Sequence, residues 1–273
     1  MMWYGRAITE RNVAPCVRAC KQEGVKEIFF TLWGDDGGYC EYDSTLAGLA
    51  FAAAQAYGED GQALRARYQA VCGIGYEETV LPCKLGDESF VCLMWDDPLM
   101  GINWRHLQAC RADHWPQRLA YYRDLAQELA GYRGITEPVD LGHAAALAEL
   151  AAAKIDFRLR LERAYFARDR AELERLIAEV PRMVSMVEEV TATFRRQWLR
   201  RNRPLGLEVM QTRMGGMRQR YLEVGELLRE VLDGRRRNIL ELEEGGALPQ
   251  EALARVAPGG QFRLLASSSV LGP

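Results

Sequence analysis

From Gly142 to about residue 232 an apolar side chain returns every three or four positions, a spacing that only helices packed along one another can use. Leu147, Leu150, Ala151, Ile155 and Leu159 form one stripe. A second follows Asp169, whose carboxylate suits a helix cap: Leu173, Leu176, Ile177, Val180, Val184, Val187, Val190, Phe194 and Trp198. Pro181 lies inside it and should bend that helix. A third helix begins at Pro204 and ends near Asp233-Gly234. Such stripes predict antiparallel helix packing.

The first part of the chain reads differently. Met1 to Tyr4 is short and apolar, and a helix over 12–24 carries Val13, Cys16, Val17 and Cys20 before Gly24. Glu27 to Trp33 is β-branched and aromatic, too short for a helix, and reads as a strand buried on both faces. A loop over Gly34 to Gly38 follows, then a helix capped by Asp43 or Ser44 that runs to Tyr57 and stops at Gly58. The order strand, helix, strand, loop, helix is βαβα logic. Residues 59–141 are mixed: a short helix at Leu64–Val71, an extended segment or turn at Leu93–Leu99, and a helix over 117–131. Phe262 to Val270 reads as a last strand. The fold class is thus an α-rich α/β chain, divided into 1–58 and a mainly helical 59–273.

Composition narrows the function. With 48% hydrophobic residues, disorder is excluded, and a net charge of −3 does not suit a protein built to grip nucleic acid. The arginines of 195–203, with Arg235 to Arg237, are flanked by Glu188, Glu189 and Glu208, which favours a solvated helix end or an intersubunit salt-bridge face over a phosphate-binding one. No apolar run is long enough to cross a membrane, and no secretory leader is visible. The seven cysteines, an odd number all within the first 110 residues, read as free thiols in a reducing cytoplasm. His106, His114 and His143 sit apart from them, so no zinc site is expected, and nothing calls for a cofactor.

Trp33-Gly34-Asp35-Asp36-Gly37-Gly38 is the chemical candidate. An indole stacks on the C–H face of a pyranose while a carboxylate accepts hydrogen bonds from its hydroxyls. A core-edge tryptophan beside a solvated turn explains the same residues, and a carboxylate loop could also hold Mg²⁺ or Ca²⁺.

These residues carry a resemblance as well. Met2 to Gly5 and Glu27 to Gly38 resemble the last two barrel strands of glycoside hydrolase family 20, the β-N-acetylhexosaminidases, whose eighth strand ends in T-x-W-G-D-D/N-G. Leu93 to Gly101, LMWDDPLMG, is similar to the family's Y-N-D-P-L-x-G segment. Trp198 to Gly216, WLRRNRPLGLEVMQTRMGG, is similar to W-x-x-x-N-K-P-x-G-x-E-V-x-D-x-R-x-G-G, with Arg203 for the usual lysine and Gln211 for the usual aspartate. Ile239 to Glu243 resembles a closing P-E-L-E-E, with Leu240 in place of proline.

The resemblance implies a partial (β/α)8 TIM barrel, its last two βα units, followed by the helical domain. It implies substrate-assisted hydrolysis of terminal, non-reducing β-linked N-acetylglucosamine or N-acetylgalactosamine, without metal or organic cofactor. It places Trp33 in the aromatic wall around the sugar, Asp35 on its O4 and O6 hydroxyls, and Trp3 in the same pocket. The family's adjacent Asp-Glu pair would precede Met1, so no catalytic residue is assigned; Asp87-Glu88 follows Gly86 in a turn-like stretch after the barrel region. Glu208 and Arg213 are expected at a subunit interface, at a pocket rim or in an internal ion pair. The implied partners are an amino-sugar glycoside in the intact enzyme and a second copy through the helical domain. A non-catalytic helical interaction module, whose partner supplies the missing strands, is the alternative.

Overall fold

A computed structural model describes residues 2–32, 39–86, 88–110 and 114–244. Among them every regular element is a helix. Two compact units emerge: Met1–Phe90 with Leu129–Ala145, and Val91–Glu128 with the chain from Ala146 onward.

In the first unit, α1 (Arg6–Gln22) starts earlier than the apolar spacing predicts, because an Arg6–Glu10 ion pair of 2.7 Å supports its first turn. The helix continues through Pro15 and ends before Gly24, whose φ of +69° suits a residue without a Cβ. A 3₁₀ turn at Tyr42–Thr45 leads into α2 (Leu46–Tyr57). Neither Asp43 nor Ser44 caps α2, which follows the 3₁₀ turn directly; the turn itself is capped by Glu41, whose carboxylate accepts the Ser44 N–H at 2.8 Å, while Ser44 Oγ donates to the Glu41 carbonyl at 2.6 Å. Lys21 Nζ donates to the Gln55 carbonyl at 2.8 Å, tying the end of α1 to α2. The Tyr4 ring lies so close to Gly48 that a Cβ there would come within 2.6 Å of it. Next come α3 (Gly61–Cys72), capped by Asp60, and α4 (Tyr76–Val80).

Among the described residues neither early strand is seen. Residues 2–4 are irregular yet buried, and 25–32 are irregular and exposed apart from the half-buried Ile28, with Phe29 at 89%. β-propensity expresses how well a side chain packs on a pleated neighbour, and no described residue supplies that neighbour. The partial barrel is therefore not seen in this structure. The loop from Trp33 to Gly38 and the strand expected at Phe262–Val270 lie outside the described residues.

The second unit holds most of α5 (Glu88–Trp95), α6 (Ile102–Cys110), most of α7 (His114–Ala130) and of α8 (Leu141–Ala167), then α9 (Arg170–Arg201), α10 (Leu207–Leu232) and α11 (Leu240–Glu243). The segment read as extended, Leu93–Leu99, is half helix: Phe90, Leu93 and Met94 share one buried face, and the turn begins only at Asp96. Asp169 caps α9 as predicted, accepting the Glu172 N–H at 3.1 Å. That helix runs through Pro181 without a break and packs along α10. Gly225 faces Val180 across this seam, where a Cβ would make ordinary contact at 3.4 Å. Val184, Val187, Val190 and Phe194 of α9 are buried, as are Met214, Met217, Tyr221 and Leu228 of α10. Burying such side chains contributes about 1.5–3 kcal/mol each before ordering costs. No described helix is long and apolar enough to cross a membrane.

Candidate functional site

Trp33 and Asp35 fall outside the described residues. Trp3 is fully buried in the first unit, and its Nε1 donates to the Thr79 carbonyl at 3.3 Å. The structure therefore places Trp3 in a core, with its one polar atom satisfied by backbone.

The motif segments of the second unit do come together. Asp96 is buried, and its two carboxylate oxygens accept the N–H groups of Asn103 (3.2 Å) and Trp104 (2.8 Å), capping the first turn of α6. Burial pushes the Asp96 carboxyl up against the lowering effect of those bonds. Asp97 Oδ1 accepts from Leu99 N at 2.8 Å and Met100 N at 3.0 Å, closing the turn over Pro98. The backbone of that turn is held from α8. Lys154 Nζ donates to the carbonyls of Met94 (3.1 Å) and Asp96 (2.9 Å), and Arg158 Nη1 to those of Pro98 (2.5 Å) and Leu99 (2.9 Å). Full burial lowers the Lys154 ammonium to about 8, with Asp96 and Asp97 opposing. Gly101, at φ +58°, is required twice over, since a Cβ would also lie 2.9 Å from Arg158 Nη2. A cavity of about 20 Å³ remains among Asp96, Asp97, Lys154, Arg158 and Tyr221, the volume of about one water.

A second link closes the unit. Arg220 on α10 donates from Nε to Asp97 Oδ2 at 2.7 Å and from Nη2 to Glu241 Oε1 at 3.3 Å. The α11 segment is pinned further by Arg105, which donates to the Leu242 carbonyl, and by Tyr165. The Tyr165 hydroxyl accepts from Ile239 N at 2.7 Å and donates to Glu243 Oε1 at 2.6 Å. Trp104 stacks on Trp115 with centroids 4.2 Å apart and donates from Nε1 to Glu162 at 3.3 Å.

The third motif is the turn between α9 and α10. Trp198 Nε1 donates to the Arg203 carbonyl at 2.8 Å, and its ring lies against Gly206, whose φ is +96°. Glu208 accepts the Gly206 N–H at 2.8 Å. Arg213 is 1% exposed, with its guanidinium carbon 3.9 Å from the Trp95 ring centroid. Glu208 is therefore a loop brace, and Arg213 belongs to the core.

Sequence reasoning missed Arg220, Tyr165, Lys154 and Arg158, single residues on regular helices whose partners lie far away along the chain. Their carboxylate and carbonyl partners are consumed in holding the fold, so this network supplies neither an open general acid nor a nucleophile. In the first unit, a groove of about 630 Å³ is lined in part by Arg6, Glu10, Glu77, Lys84 and Tyr132. It has the size of a small-molecule site. Glu10 is paired with Arg6, and Glu77 with Arg65 at 2.7 Å. Among the described residues no three His, Cys, Asp or Glu side chains are grouped to hold a metal.

Residues 86–254, well over half the chain, match the family described as the Glycoside Hydrolase 20C C-terminal domain. No curated protein matches.

Proposed function

Because the chain belongs to the glycoside hydrolase 20C C-terminal domain family, we propose that it is the C-terminal part of a β-N-acetylhexosaminidase. In this reading residues 1–58 correspond to the last two βα units of a barrel, and 59–273 to the helical domain. The parent reaction is substrate-assisted: the 2-acetamido oxygen attacks the anomeric carbon while a carboxylic acid protonates the leaving oxygen. In this reading Trp33 and Asp35 line the sugar pocket, Trp3 stays in the core where its indole donates to the Thr79 carbonyl, and the Asp-Glu pair is supplied by other barrel strands. The odd cysteine count favours a cytoplasmic setting.

The observation that carries the proposal is the family match together with the placement of its motifs. The turn at Asp96–Gly101, the α9–α10 turn and α11 are three separated segments with odd, costly residues, and each is used structurally within one unit. The exposed run Val25 to Leu32 supports a second clause: Phe29, Phe30 and Leu32 have the composition of a strand buried on both faces. Its missing neighbours are the other barrel strands.

The test uses 4-nitrophenyl N-acetyl-β-glucosaminide. The chain alone should give no turnover above background. Mixed or co-expressed with a family-20 barrel ending after its sixth strand, it should restore turnover. In that complex Asp35→Asn should lower kcat/KM about ten- to a hundredfold, the loss of a charge-assisted hydrogen bond. Robust turnover by the chain alone, abolished by changing Asp87 or Glu88, would overturn the assignment. Unchanged kinetics in Asp35→Asn would remove Asp35 from the pocket.

A further inference from the structure

Cys16 and Cys20 stand four residues apart on α1, one turn above the other on the same face of the helix. Cys16 is exposed and Cys20 half-buried, so the pair opens to solvent. Cys40 and Cys83 of the same unit differ. Burial pushes the Cys40 thiol up to about 11 and that of Cys83 to about 12, which seals both against reaction.

Side chains at i and i+4 of a helix have Cβ atoms about 5–6 Å apart, whereas a disulfide needs about 3.5–4.5 Å. Direct oxidation of the pair would have to unwind α1 between Lys21, which holds the Gln55 carbonyl, and the Arg6–Glu10 pair. A metal bridging the two sulfurs needs no such distortion. Two metal–thiolate bonds of about 2.3 Å each add a span that an intact turn accommodates. Two sulfurs with no third His, Cys, Asp or Glu grouped beside them among the described residues suit an ion content with two ligands. Zinc and calcium require more, while soft thiolates select copper(I).

We propose that Cys16 and Cys20 form a two-thiolate site on α1 for a soft, thiophilic monovalent cation of the copper(I) class. Binding replaces two S–H bonds by two S–Cu bonds and releases two protons, and the metal remains Cu(I) throughout. Cys20 is held up by its partial burial first and by the Cys16 sulfur second. A cation must therefore displace the Cys20 proton to bind there.

The experiment is an anaerobic titration of the reduced, full-length chain with Cu(I) against a chromogenic Cu(I) chelator. Iodoacetamide labelling of each cysteine is then read by mass spectrometry. One tight equivalent, two protons released, and protection of Cys16 and Cys20 at least tenfold beyond any other cysteine are expected. Cys16→Ser and Cys20→Ser should each lose the tight equivalent while retaining the helical circular dichroism spectrum. Equal labelling of Cys16 and Cys20 with and without copper, or unchanged binding by the double serine variant, would overturn the proposal. Because neither readout measures glycoside hydrolysis, the result stands apart from the enzymatic assignment.

Discussion

Replacing Arg220 by methionine isolates the link that joins two of the family segments. Methionine keeps most of the aliphatic stem and removes the guanidinium, so packing along α10 changes little. Asp97 has a fully buried side chain and keeps its two backbone N–H donors at 2.8 and 3.0 Å, but it loses the cation 2.7 Å away. Removing one partner of a fully buried pair costs about 3–5 kcal/mol. The Arg220 side chain retains 23% exposure, so water can partly replace it, and we expect about 2–4 kcal/mol. Urea unfolding followed by circular dichroism at pH 7 measures the change. Glu241→Gln removes only the 3.3 Å contact to a 37% exposed carboxylate and should cost under about 1 kcal/mol. Asp97→Asn in the Arg220→Met background should recover part of the loss, because the stranded charge is gone. A loss under about 1 kcal/mol for Arg220→Met, or no recovery in the double variant, would show that Asp97 is held by its backbone donors alone.

Two further perturbations read other parts of the same unit. Lys154 has a folded value near 8 against the ordinary 10.5, so between these pH values the unfolded chain binds the extra proton and stability rises with pH. Wild type should gain about 3 kcal/mol relative to Lys154→Met over that window, and parallel stability curves for the two proteins would refute a buried ammonium. Gly206→Ala places a Cβ at φ +96° and 3.2 Å from the Trp198 ring. It should lower stability by about 1–3 kcal/mol and blue-shift or quench tryptophan emission, and a variant as stable as wild type would remove the steric account of this turn.

What the sequence made legible is what repeats. The stripe from Leu173 to Trp198 placed α9, and Asp169 and Gly58 marked a cap and a stop, because each of these signals lies within a few residues of its effect. The strand reading of Glu27 to Trp33 is not met over the described residues 27–32 for the opposite reason: strand formation depends on a partner elsewhere, and the run cannot carry its own ladder. Glu41 escaped notice because serine and aspartate lead the preference for capping, and what it caps is the 3₁₀ turn that precedes α2, a turn with no signal in the sequence. The motif LMWDDPLMG was legible as a motif, but nothing within it told that its two carboxylates hold backbone N–H groups. Only the fold brings Arg220, 123 residues away from Asp97, to that turn. Trp33 and Asp35 remain readings from the sequence.

The exposed run at 25–32 has a practical side. Ile28-Phe29-Phe30-Thr31-Leu32 is free of proline, glycine and charge, and the charges that flank it are Lys26 and Glu27 on one side and Asp35 and Asp36 on the other. Segments of that composition zip together between molecules whatever the stability of the domain that bears them. Yield and clouding of a purified preparation thus report on eight residues, whereas the melting transition reports on the helices. A Phe29→Lys change, at a side chain that is 89% exposed, should keep the protein in solution at concentrations where the parent clouds, with the melting temperature unmoved.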